Sequence, residues 1–399
     1  MLMASLLFIP FISPTITEIL ALLIVIFNTR IKYQFQKNWK YIFLFSSVFW
    51  VYAFGLLYTE NMDYVILDII LKFSFLVFPV IFGLLSTKQI SIKNFHLILQ
   101  SFVALTFISA LLCLFNASNK YMIQGESAVF FYSQLSILMH PSYYALYLNL
   151  ALIIILDQLL DINSISYKSI RITYKILIPF FIVFIILLES KAGLLSLFSI
   201  LAFVSLYVFI YQKKMKKALV YTSLSIVLIS TIFTLIPNST NRIDAVVESV
   251  EETGTAENHS VSVARIYLWQ AAWDLFKEKP LFGYGTGDVK DVLLQEYSLQ
   301  NNNRALSQNY NPHNQFLQSS VAVGIWGFLS MMAIVVFPIY FGFKKRNLLY
   351  FLLRILMGIN LLVESMFERQ AGVLFFTFFN SFIFFVMLQQ KRDIGTRKI

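Results

Sequence analysis

Charge is what this chain has least of. Only 13% of its 399 residues are Asp, Glu, Lys or Arg, while 58% are apolar and the mean hydropathy is +0.72. Soluble domains carry roughly 25% charged residues, so no water-facing surface of the size required can be built. That shortage excludes a water-soluble globular enzyme and a disordered chain. Cysteine is nearly absent as well: Cys113 stands alone in an apolar run, which excludes an intrachain disulfide, a disulfide-stapled module and a cysteine-based metal site. What the chain has instead is 41 Phe and one long apolar run after another. These features predict an all-α polytopic membrane protein.

A spanning helix needs about 20 apolar residues. Eleven candidates follow, at 5–27, 41–58, 64–86, 96–115, 132–156, 173–189, 192–211, 218–236, 315–342, 347–364 and 371–389. The first carries Pro10, Pro14 and Glu18 and reads as a broken or re-entrant element. Twenty of the 31 Lys and Arg residues lie in alternate connections: 30–40, 88–93, 168–175, 213–217, 344–346 and 391–398. By the positive-inside rule these connections are cytoplasmic. The net charge of +10 is therefore a topology signal and does not predict nucleic-acid binding. The expected organisation is an N-terminal transmembrane bundle over 1–236, a large outer loop over 237–312 and C-terminal spans over 313–399, integrated as one membrane domain with a cytoplasmic C-terminus. The loop holds six basic and ten acidic residues. Its first part, 238–259, is polar and reads as a mobile lid. In the second part Ile266, Trp269, Trp273 and Phe276 recur at helical spacing before Pro280. That helix is expected at the membrane interface, over the bundle, or both.

Ionisable residues inside spans are costly and rare. Asp68 and Lys72, four apart, are expected to neutralise each other on one helix face, and Arg354 is expected to snorkel to the cytoplasmic edge. Among the four histidines, His96 and His259 read as incidental, and His140 before Pro141 stands where a cavity or an ordinary structural role would both suit it. His313 follows Asn311-Pro312 where the outer loop re-enters the membrane, a place suited to a general base. Glu364, Glu368 and Arg369 crowd a short outer turn, as contacts for an acceptor, partners for Arg265 or an interfacial salt bridge. No Asp/His cluster suggests a metal, and Gly283, Gly285 and Gly287 lack the spacing and the preceding strand of a dinucleotide site.

His313-Asn314 is followed, nine residues on, by Gly324-Ile325-Trp326-Gly327. Upstream stand Arg265 on its helix and Pro280-Leu281-Phe282-Gly283-Tyr284-Gly285, and the hairpin between spans six and seven holds Ser190-Lys191-Ala192-Gly193. This pattern, with the layout of spans around one long outer loop, resembles the O-antigen ligase and O-antigen polymerase superfamily of membrane glycosyltransferases. The resemblance implies transfer of a glycan from undecaprenyl diphosphate to an acceptor hydroxyl, on lipid A core or another glycan, at the periplasmic side of the bacterial inner membrane. It implies His313 as the catalytic base and Arg265 and Lys191, with Arg369, as ligands of the diphosphate. Asn314, Glu364, Glu368 and His140 are supporting or acceptor-site candidates. No metal or other cofactor is expected. Two departures stand out: the family usually has arginine where this chain has Lys191, which keeps the charge but loses the bidentate fork, and commonly has twelve spans. Ligase and polymerase share these motifs. A flippase for lipid-linked oligosaccharide and a non-catalytic envelope scaffold are the rival readings.

Overall fold

A computed structural model of the chain describes residues 31–85, 91–161, 168–235 and 261–396. The expected first span, the polar stretch 238–259, Lys88 and His259 lie outside the described residues. Within them the chain is helical, with no strand. Lipid offers no partner to backbone amides, so a spanning segment must satisfy its own.

The long helices, in order, are α1 (Ile31–Gly55), α2 (Met62–Lys72), α3 (Ser74–Leu84), α4 (Ile92–Gln124), α5 (Pro141–Leu160), α6 (Lys168–Leu187), α7 (Lys191–Gln212), α8 (Met215–Leu235), α9 (Val261–Glu278), α10 (Val289–Leu299), α11 (Gln315–Lys344), α12 (Leu348–Val363) and α13 (Gln370–Thr396). Eight described stretches are long and apolar enough to cross a membrane, with α2 and α3 forming one of them. The protein is a multi-pass, all-α membrane bundle.

Two boundaries differ from the sequence reading. Helix α4 continues beyond 115 through a polar stretch to Gly125, whose left-handed φ of 70° ends it. The expected span at 132–156 starts only at Pro141. Proline is at home in the first helical turn and holds the preceding residue extended. His140 accordingly becomes the N-cap, and residues 127–140 form short helical turns at the membrane edge.

Helix α5 is buried along nearly its whole length, against α4, α6, α7 and α12. Helix α13 is almost as deep and packs a ladder of Phe378, Phe379 and Phe382 against Phe82 and Phe102. Up-and-down connectivity brings the described basic connections to one end of the bundle. The opposite end gathers the turns after α1, α4, α6 and α12 and the outer segment 261–314.

Arg354 corrects the snorkelling expectation. Its side chain is fully buried, because α12 lies inside the bundle with no path to the edge, and its guanidinium sits over the rings of Tyr350 and Phe376, 5.3 and 4.7 Å from their centroids.

Helix α11 is broken near its middle. Val323 and Gly324 leave helical geometry, Gly324 at φ 65° and ψ −148°. The break frees two carbonyls, and the turn 280–285 uses them: Tyr284 N–H donates to Val321 O (3.0 Å) and Gly285 N–H to Ala322 O (2.9 Å). In return Ile325 N–H donates to Pro280 O (2.8 Å). A β-carbon on Gly283 or Gly324 would lie 2.4–2.5 Å from backbone oxygen of the opposite strand of this contact. The two glycine motifs of the sequence are thus halves of one joint, which seats the outer segment on the bundle. Asp288 adds a second anchor, accepting from Asn61 N–H (2.7 Å), Glu60 N–H (3.0 Å) and Thr59 Oγ1 (2.9 Å) in the turn after α1.

Candidate active site

A cavity of about 920 Å³ opens at the end of the bundle opposite the basic connections. Its lining includes His140, Lys191, Arg265, His313, Glu364, Glu368 and Arg369, drawn from five separate places in the chain. One further candidate, Asn314, is not part of the wall. It is buried and caps α11, its Oδ1 accepting from Phe316 and Leu317 N–H at 2.9 and 3.1 Å.

His313 is half-buried in a left-handed conformation, φ 47°. For a residue other than glycine this costs about 1–3 kcal/mol and persists only when surroundings enforce it. Here the enforcement is local: Asn311 Oδ1 accepts His313 N–H (2.9 Å), and Ser365 Oγ accepts Asn314 N–H (3.2 Å). The imidazole Nδ1 lies 2.8 Å from Glu364 Oε2, and Glu364 Oε1 accepts from Arg265 Nη2 at 3.0 Å. An ionised carboxylate only accepts, so Nδ1 carries the proton and the neutral ring presents a bare Nε2. Burial would raise the Glu364 pKa, but the His313 hydrogen bond and the Arg265 charge outweigh it and hold the carboxyl below its ordinary value. The Tyr310 ring meets His313 edge-on at 5.6 Å.

Lys191 follows the turn after α6, which ends at Leu187, and is the first residue of α7, behind the N-cap Ser190. A cation there opposes the helix dipole by about 0.3–1 kcal/mol, and adds its charge to a helix end already suited to anions.

Beneath the cavity runs a second network. The Lys72 ammonium, fully buried, contacts Asp68 (2.5 Å), Glu368 (3.2 Å) and the Phe367 carbonyl (3.1 Å), and lies 4.9 Å from the centroid of the Tyr52 ring. The expected Asp68–Lys72 pair therefore exists, and Glu368 extends it into the cavity wall. Gln315 donates to Glu368 (3.1 Å) and accepts Phe367 N–H (2.7 Å). On α9 the buried face is Leu268, Ala271, Ala272 and Leu275, packed on α11, while Trp273 of the aromatic stripe is half exposed.

Sequence reasoning did not single out Arg304, Tyr132, Tyr143 or Tyr310, all in the cavity wall. Tyr310 stands three residues before His313, a signal that could have been used; Tyr132 and Tyr143 had none. Among the described residues no group of three or more His, Cys, Asp or Glu is arranged to hold a metal.

The fold and the pocket define a polytopic helical membrane protein with a histidine–carboxylate–arginine chain inside a basic cavity at one membrane face. Residues 176–332, less than half of the chain, match the family model described as O-antigen ligase, and that stretch is similar to the O-antigen ligase superfamily. The matched stretch contains Lys191, Arg265, Arg304, His313 and Gly324 and ends before the turn bearing Glu364 and Glu368. An uncharacterized protein of Haemophilus influenzae is 26% identical over 149 residues, 36% of this chain. The match spans 37% of that relative's own length.

Proposed function

We propose that the protein is an O-antigen ligase-like glycosyltransferase. It would move a glycan from undecaprenyl diphosphate to an acceptor hydroxyl, on lipid A core or on another glycan, at the periplasmic side of the bacterial inner membrane. The observation that carries this reading is the Arg265–Glu364–His313 chain, whose bare Nε2 belongs to a cavity also lined by Lys191, Arg304 and Arg369. The acceptor hydroxyl gives its proton to His313 Nε2 as its oxygen bonds the anomeric carbon. The bond from that carbon to the diphosphate oxygen breaks, and the diphosphate leaves with the electron pair, so the anomeric centre inverts. Lys191 at the α7 N-terminus and Arg369 hold the departing charge, the kind of stabilisation that usually lowers such barriers most. Arg265 acts on Glu364 as well as on the donor. The reading needs no metal. The periplasmic assignment rests on the positive-inside rule, applied to the basic connections at the far end.

An O-antigen or polysaccharide polymerase would use the same donor chemistry with a glycan acceptor. A flippase is less favoured, since transporter sites cluster near the bilayer midplane and the cavity residues sit in connections at one membrane edge.

The test is reconstitution with undecaprenyl-diphosphate-linked glycan and an envelope acceptor fraction, with chelator present. His313→Ala is expected to lower turnover by about 10²–10⁴-fold, the usual worth of a general base, while still binding the donor. Unchanged turnover in that variant would remove His313 from the chemistry. Glycan crossing the bilayer without transfer would replace the enzyme by a flippase.

A further inference from the structure

Seven described residues other than glycine adopt left-handed φ angles: Tyr132, Glu189, Lys213, Asn301, Asn309, His313 and Arg346. Two are asparagines, the type that tolerates this region best. Lys213 caps the C-terminus of α7, and Arg346 lies just past the end of α11. Glu189 likewise lies just past the end of α6, and the remaining two, Tyr132 and His313, both line the cavity. Strain of this kind gathers at functional positions, and tyrosine is a poor choice for a turn unless its ring is needed. Tyr132 is 45% exposed.

Beside it stands His140, its ring edge-on to both Tyr132 and Tyr143, with centroids 6.3 and 6.5 Å apart. His140 and His313 are wired in opposite senses. Nδ1 of His313 donates to Glu364, whereas Nδ1 of His140 accepts from Ser142 N–H at 3.3 Å. The neutral His140 ring therefore carries its proton on Nε2 and is a donor where His313 is an acceptor. Burial keeps it neutral by lowering its pKa. Glu364 pulls the other way, and Arg369 reinforces the lowering. Tyr143 is braced behind, its hydroxyl donating to Met366 O at 3.5 Å. This wall presents aromatic surface, a neutral N–H donor and Ser142. Aromatic lining with a few directed polar groups is how a pocket binds an uncharged, hydroxyl-rich ligand; a phosphate would call for cations instead.

We propose that Tyr132, His140 and Tyr143 form a saccharide subsite, in which a sugar ring lies on the Tyr132 face and one of its oxygens accepts from His140 Nε2–H. The proposal rests on the glycosyl-transfer reading and deepens it: one wall takes sugar while the cations take diphosphate. The sugar belongs either to the donor glycan or to the acceptor.

The experiment uses the full chain in detergent micelles with three probes: undecaprenyl diphosphate without glycan, the same lipid bearing an oligosaccharide, and the acceptor saccharide alone. Tyr132→Gly removes the ring and relieves the backbone, so its melting temperature should equal or exceed that of the wild type. Its affinity for one saccharide-bearing probe should nonetheless fall about tenfold, with glycan-free lipid bound as before and with Tyr132→Phe restoring binding. His140→Ala should weaken the same probe. Loss confined to the glycan-bearing lipid assigns the subsite to the donor, and loss confined to the saccharide assigns it to the acceptor. Saccharide affinities within twofold of wild type in both variants, or an equal loss for glycan-free lipid, would overturn the proposal. His313→Ala separates the two readings: it should keep saccharide binding and lose turnover. If it keeps turnover, the base assignment fails while the subsite stands on its binding data.

Discussion

Glu364 accepts from two directions at once, from the imidazole of His313 and the guanidinium of Arg265. Its value lies less in charge than in direction, because the tautomer of a histidine follows the hydrogen bond its other nitrogen makes. Glu364→Gln keeps the shape but offers an amide that can turn either way. Turnover is expected to fall by about 10²-fold, on the order of a misdirected general base, with donor affinity near that of the wild type. The acid limb carries a second signature. The folded carboxyl has a depressed pKa, so its stabilising contribution is complete above the ordinary glutamate value of about 4.3 and disappears as pH falls through the lower folded value. Between pH 5 and pH 3 the wild type should therefore lose more thermal stability than Glu364→Gln, as melting curves in detergent would show.

At the scale of elements, the broken α11 decides where the outer segment sits. A straight helix would consume the carbonyls of Val321 and Ala322 internally, and the turn 280–285 would lose its seat. Gly324→Ala forces a side chain into a backbone conformation that costs about 1–3 kcal/mol by itself. It also drives a β-carbon to 2.4 Å from the Leu281 carbonyl oxygen. The variant is expected to melt at a lower temperature and to lose turnover together with its seat, since His313 stands at the start of the same helix. Melting unchanged from the wild type would show that the joint does not hold the segment. The helix pattern 261–278 was legible from its apolar spacing and Pro280. Which face it buries was not, because small Ala271 and Ala272 permit close packing that aromatic residues prevent.

Across the whole molecule, Lys72 ties the α2 helix to α1 through Tyr52 and to the turn after α12 through Glu368. Removing one partner of a buried ion pair strands the other and costs about 3–5 kcal/mol. Lys72→Met should reach that range in thermal unfolding, and adding Asp68→Asn should recover part of it, since one of the two stranded carboxylates is then neutral. A Lys72→Met protein as stable as the wild type would mean that Asp68 and Glu368 are not held by the ammonium.

By itself the sequence determined the helical class, the approximate position of each described span, the alternation of basic connections and the residue types at the motifs. Those properties follow from hydropathy and charge along short stretches, because lipid forces apolar segments into helices and helix ends are set by neighbours such as Pro141 and Gly125. The tertiary structure alone decided which of those residues meet. His313 finds Glu364 across 51 residues and Lys72 finds Glu368 across 296; Arg354 is enclosed where an edge was expected, and Tyr132 is bent into the wall of the cavity. Contacts of that range depend on how helices stack, and no local pattern of residues records the stacking.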